Sequence, residues 1–147
     1  MSNIHSLHIV GVSCATDETS ATQDIGALWG RAIGAGLGAQ HMYAVYRGYQ
    51  LRPGGYTVEV VVGRIAAPNE ALPHDCITVE VPAQAAHHVV TDGSVEGVQR
   101  AWAGIWSQWP DGGPRTFVAD LEHWEMGSDG KPQRAEVFVG VRSASHT

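Results

Sequence analysis

Residues 58–63 read Val-Glu-Val-Val-Val-Gly, and residues 135–140 read Ala-Glu-Val-Phe-Val-Gly. β-Branched and apolar residues around one acid suit a half-buried strand, and finding the same strand twice points to a repeated unit. Working outward, each copy has the same neighbours. Before the first lie a Pro53-Gly54-Gly55 turn, a β-rich run at 42–49, a helical pattern over 24–37 and a short β-rich run at 7–14. Before the second lie Gly127-Ser-Asp-Gly130, a run at 116–126, a helix over 94–109 that stops at Pro110, and β-like runs at 85–91 and 76–81. Turn residues between alternating runs read as hairpins, and apolar spacing of three to four reads as helix. The sequence therefore predicts an α+β fold: duplicated strand-helix-strand-strand units forming one antiparallel sheet with two helices. A cleft is expected near the pseudo-two-fold. The repeats are placed at about 5–67 and 76–142, joined by a linker at 66–75, in a single domain over 1–147. The first helix is expected to be capped near Thr22 or Asp24.

The strand before the second copy is unusual. Residues 117–126, Phe-Val-Ala-Asp-Leu-Glu-His-Trp-Glu-Met, carry three acids beside a tryptophan. Strands disfavour Asp and Glu, and a buried carboxylate is costly without compensating partners. Alternation puts Asp120, Glu122 and Trp124 on one face and Leu121, His123 and Glu125 on the other. If the first face looks into a cavity, Glu122 and Trp124 form a cation site: an aromatic wall with a charge beside it. If it looks at water, the same residues are an ordinary solvated edge.

The helices add two further features. Trp102, Trp106 and Trp109 fall on one stripe of the second helix, either as core or as flat walls for a ligand. In the first, Gly26, Gly30 and Gly34 lie in a row beside an apolar face of Ile25, Trp29, Ala32 and Ile33. Each helical glycine costs about 1 kcal/mol relative to alanine, so three in register suggest a close approach to another element; room for a ligand is the alternative.

Composition narrows the function classes. With 15 acids against 9 bases, a net charge of -6 and a single lysine, Lys131, the chain is ill suited to polyanions. Nucleic-acid affinity depends on neutralising phosphates, so direct nucleic-acid binding is not expected. No run of about 18 apolar residues suggests a membrane span, and the first residues lack the features of a signal peptide. Cys14 and Cys76 read as buried thiols of a cytoplasmic protein. No phosphate-binding glycine loop, GxSxG elbow or HExxH motif is present. The adjacent His87 and His88 point to opposite strand faces, so no metal and no cofactor are expected. The acids at 120, 122 and 125 lack a prepared nucleophile beside them, so no catalytic residue is assigned.

Taken together, His8-Ile-Val-Gly11, Ile25-Gly-Ala-Leu-Trp29, Val45-Tyr46 with Tyr49, Leu72-Pro73, Trp102 with Ile105-Trp106, Trp109-Pro110 and Asp120-Leu-Glu-His-Trp124 resemble the GyrI-like effector-binding domains. These modules occur alone, including on mobile integron gene cassettes, or behind AraC-type and MerR-type DNA-binding segments in transcription regulators. The last motif is similar to the family's Asp-Phe-Glu-x-Tyr strand, with Leu121 for the aromatic and Trp124 for the tyrosine. The tryptophan keeps a π-face but exchanges a phenol for an indole N–H. What the resemblance implies is a central hydrophobic pocket whose buried glutamate, matched by Glu122, attracts bulky lipophilic and cationic compounds. Trp124, Tyr46, Tyr49, Trp102 and Trp106 would supply its walls. The resemblance also leaves open a hydrolase of strained electrophiles in the same pocket, or a protein-interaction module of topoisomerase-inhibitor type with a protein partner.

Overall fold

The computed structural model describes residues 2–143. Eight strands and two helices follow in the order β1 (Ser2–Ile4), β2 (Leu7–Asp17), α1 (Ala21–Gly34), β3 (His41–Arg52), β4 (Gly55–Ile65), β5 (Ile77–Val81), β6 (Gln84–Thr91), α2 (Val95–Gln108), β7 (Arg115–Met126) and β8 (Pro132–Val141). All strands join one antiparallel sheet in the order β1-β6-β8-β7-β3-β4-β2-β5. The order is symmetric about the β3–β7 pair. Each half contributes three antiparallel strands, a hairpin with the strand before the helix added to its second strand, β3-β4-β2 and β7-β8-β6, and each half's leading strand, β1 or β5, crosses to the other half's edge.

That exchange rolls the sheet. Strand β1 pairs with β6 at one edge, yet only two residues separate it from β2 near the opposite edge; β5 and β6 are tied in the same way. Two residues span too little distance for a flat eight-stranded sheet, so the edges approach one another. The face inside the roll holds Ile4, Ile9, Val45, Val61, Val79, Val81 and Leu121, all buried without any helix covering them. The other face carries both helices over Val10, Val12, Met42, Ala44, Val60, Val62, Val137 and Val139.

Helix α1 packs over β2 and β4, and α2 over β6 and β8. Neither packs chiefly on the central strands, so the middle of this face opens between the helices. Helix α2 is capped by Ser94, whose Oγ accepts from Gly97 N at 2.9 Å. Helix α1 starts three residues earlier than the sequence suggests and is not capped by Thr22 or Asp24. Its entry is held by Asp17, whose carboxylate accepts from the backbone and hydroxyls of Thr19 and Ser20, at 2.7 to 3.0 Å. Those bonds hold the Asp17 carboxyl down at about 2. Asp24 is spent elsewhere, accepting from Thr16 Oγ1.

The glycine row is a second correction. A Cβ built on Gly26, Gly30 or Gly34 meets nothing within 4 Å, so the flank is not packed against another element. The tight glycines lie in the sheet. Gly11 and Gly63 face each other across β2 and β4, and a Cβ on Gly63 would strike the Val10 carbonyl oxygen. Two otherwise similar substitutions should therefore have opposite signs. Gly30→Ala is expected to stabilise the protein by about 0.5–1 kcal/mol, the helix-propensity difference. Gly63→Ala should cost at least about 1–3 kcal/mol through overpacking. Urea denaturation of the two variants checks both.

Candidate ligand-binding site

A cavity of about 650 Å³ fills the opening between α1, α2 and the central strands. Ile25, Gly26 and Trp29 line it from α1; Val98, Trp102 and Trp106 from α2; Tyr46 and Tyr49 from β3; and Glu122 and Trp124 from β7. All six site residues named from the sequence thus border one space. Trp109 does not. It ends α2 and packs edge-on against His87.

Local alternation places the acids. Leu121 turns into the roll, while Asp120, Glu122 and Trp124 turn toward the helices and are 0%, 3% and 6% exposed. Glu122 is held by three donors from three elements. The Tyr46 hydroxyl donates to Oε2 at 2.6 Å, Trp102 Nε1–H donates to the same oxygen at 2.7 Å, and Trp124 Nε1–H donates to Oε1 at 2.9 Å. All three donors are neutral, and no basic side chain of the described residues pairs with this carboxylate. Burial pushes its pKa above the ordinary value, and the three hydrogen bonds pull the other way. The indole N–H of Trp124 thus reaches the acid two residues back on its own strand.

Aromatic faces surround this acid. Trp102 is tilted against Tyr46, with centroids 5.0 Å apart, and Trp29 meets Trp124 edge-on at 5.6 Å. Burial and the Glu122 charge both raise the Tyr46 pKa well above its usual value, so its proton stays on the phenol and points at the acid. The open helix flank also finds its place here, because Gly26 borders the cavity where a longer side chain would occupy it.

The residue missed by sequence reasoning is Arg115. Its side chain is fully buried, and Nη2 donates to Asp120 Oδ2 at 2.8 Å. Asp120 also accepts from the Tyr49 hydroxyl at 2.7 Å and from Gly140 N at 2.9 Å. The guanidinium carbon stands 4.3 Å from the ring centroids of both Trp106 and Phe117 and 5.5 Å from that of Tyr49. This placement needs an irregularity in β7, whose pairing with β8 breaks between Arg115 and Asp120. Phe117 sits there at φ 57°, a left-handed conformation that a bulky residue rarely adopts. No spacing in the sequence announces it.

No family model matches the chain, and no curated protein is similar to it in sequence. Solved structures are similar in shape. An integron cassette protein from the mobile metagenome of Vibrio cholerae aligns over 96% of this chain and 94% of its own, at 18% identity and a TM-score of 0.73. The protein SAV2435, solved with bound tetraphenylphosphonium, aligns over 97% and 92%, at 14% identity and a TM-score of 0.70. The EcmrR C-terminal domain aligns over 97% and 96%, at 13% identity and a TM-score of 0.57. This chain shares their fold. In the longer EcmrR chain, solved in a complex with DNA, the matched part is 56% of the length.

The buried ion pair beside the cavity gives the test for this geometry. Asp120→Asn leaves the Arg115 guanidinium uncompensated inside the protein and should cost about 3–5 kcal/mol in chemical denaturation. Arg134→Gln, which removes a half-exposed partner of Glu136, should cost less than about 1 kcal/mol.

Proposed function

We propose that this chain is a GyrI-like effector-binding domain that takes bulky lipophilic cations into the cavity between its helices. One observation carries the reading: Glu122 is a buried carboxylate with only neutral partners, set in an aromatic cavity large enough for a drug-sized molecule. Burying a charge without a counter-ion is unfavourable, and a ligand cation is the partner that removes the penalty. Flat indole and phenol faces around the acid favour the same class of ligand through their quadrupoles. The bound tetraphenylphosphonium of SAV2435, a protein of the same fold, agrees with this choice.

In this reading Glu122 sets affinity for charge, while Tyr46, Tyr49, Trp102, Trp106 and Trp124 shape the space. The domain senses or sequesters its ligand and makes no nucleic-acid contact of its own, in keeping with the net charge of -6. Any effect on transcription then runs through a partner or through the free concentration of the ligand.

The test pairs a cation with a neutral molecule of similar size. Methyltriphenylphosphonium should bind the native protein more tightly than triphenylphosphine oxide in a tryptophan-fluorescence titration. Glu122→Gln keeps the shape and removes the charge. It should weaken the phosphonium by about 2–3 kcal/mol, the Coulomb energy at an effective dielectric constant near 20 and a separation of about 6 Å. The oxide should change far less. Equal losses would show that charge is not what the site reads.

A further inference from the structure

Two related acid sites lie side by side on β7, Glu122 lining the cavity and Asp120 behind its wall. In each, β7 supplies a carboxylate, β3 supplies a tyrosine hydroxyl that donates to it, and α2 supplies a tryptophan. The first set is Asp120, Tyr49 and Trp106; the second is Glu122, Tyr46 and Trp102. The two acids lie two residues apart on one strand face, and the two tryptophans one helical turn apart on one helix face. The sites differ in what completes them. Asp120 receives a guanidinium from the chain itself, Arg115, packed against the rings of Trp106 and Phe117. Trp106 has Tyr56 stacked on it at 4.8 Å with the rings 6° from parallel, besides the Arg115 cation, so it has little face left for a ligand.

A carboxylate offers about four lone-pair positions, two on each oxygen. At Glu122 the protein's own donors occupy three. Tyr46 and Trp102 saturate Oε2, and Trp124 takes one position on Oε1. One position on Oε1 is left for a ligand. From this count we infer that the Glu122 site selects cations by the number of N–H donors they carry, favouring tertiary ammonium ions, with one, and quaternary ions, with none. Primary ammonium and guanidinium ions are disfavoured. The inference rests on the cation-binding reading and adds a selection rule to it.

A primary ammonium brings three donors. One is met at Oε1, and a second reaching the Tyr46 hydroxyl oxygen would still leave the third unmatched. The remaining polar lining side chains Thr22, Gln99 and Glu18 do not offer an inner acceptor. Thr22 and Gln99 are exposed on the helices, and Glu18, which accepts one donor on each oxygen from Arg52 and the Tyr56 backbone, is a partly exposed side chain open to water. Where the bound ligand excludes water, an unmatched donor weakens binding by about ten-fold or more. The guanidinium at Asp120 is the internal contrast. There Tyr49 and Gly140 leave room for one donor, which Arg115 Nη2 takes, while its buried Nε and Nη1 find no hydrogen-bond partner among the described residues and the guanidinium lies against the rings of Trp106 and Phe117.

The probes are 2,2-diphenylethylamine and its N-methyl, N,N-dimethyl and N,N,N-trimethyl derivatives, with 2,2-diphenylethanol as the neutral reference. Affinities are measured by calorimetry at pH 7 on the native chain, Tyr46→Phe and Trp102→Phe. Each variant frees a position on Oε2 while keeping a ring. The N,N-dimethyl ion should bind the native chain at least about ten-fold more tightly than the primary ion. That ratio should contract several-fold in whichever variant folds, which separates donor counting from the added apolar area of the methyl groups. A primary ion that binds as tightly as the dimethyl ion, or a ratio unmoved in both variants, overturns the inference while leaving the cation reading intact. Ammonium ions that bind no better than the alcohol overturn both.

Discussion

A carboxylate taken out of water must be protonated, paired with a cation or surrounded by donors. At Glu122 the protein uses donors alone, one each from β3, α2 and β7. Most of the architecture follows from that arrangement. The central strands must present tyrosine and glutamate to the same side, α2 must bring Trp102 down to the acid, and the helices must stand far enough apart to leave a cavity. Three neutral donors keep the acid from being an isolated buried charge, and they do so without cancelling it. The negative end of the site is thereby available to something that arrives from outside.

Duplication supplies the geometry. Because each half lays its helix over its own strands, the β3–β7 seam falls between the helices, where two antiparallel strands from different halves face the cavity. The exchange of β1 and β5 rolls the sheet and buries its far face, so the central strands have a solid backing of Val45, Val61 and Leu121. The left-handed Phe117 and the pairing break beside it turn Arg115 inward to neutralise Asp120. Two neighbouring acids on one strand thus end in different electrostatic states: one matched within the chain, one not.

Much of this was legible in the sequence because its signals are local. The paired strands at 58–63 and 135–140, the Pro-Gly-Gly hairpin turn and the period of α2 needed no long-range information. The facing of Asp120, Glu122 and Trp124 followed from a two-residue period that holds once the bulge is passed. Strand β1 was missed because three residues carry no period and their partner lies in the other repeat. The start of α1 was misplaced because its entry is fixed by Asp17, before the residues that look like caps. The glycine row was read as close packing because a pattern cannot distinguish a neighbour from a space. Arg115 is not marked by any sequence pattern because its pairing depends on an irregular backbone with a non-glycine residue at positive φ.

The central claim is that Glu122 is a buried, cation-seeking acid, and its own titration tests that most directly. With carboxyl-labelled glutamate, the Glu122 ¹³C resonance is followed across acid and neutral pH, with and without tetraphenylphosphonium, and assigned through Glu122→Gln. The account predicts a midpoint above the ordinary glutamate range in the free protein, because burial disfavours the charge. It predicts a lower midpoint with the cation bound, because the cation stabilises the carboxylate. An ordinary midpoint in the free protein, or one that the phosphonium leaves unmoved while it binds, would contradict it.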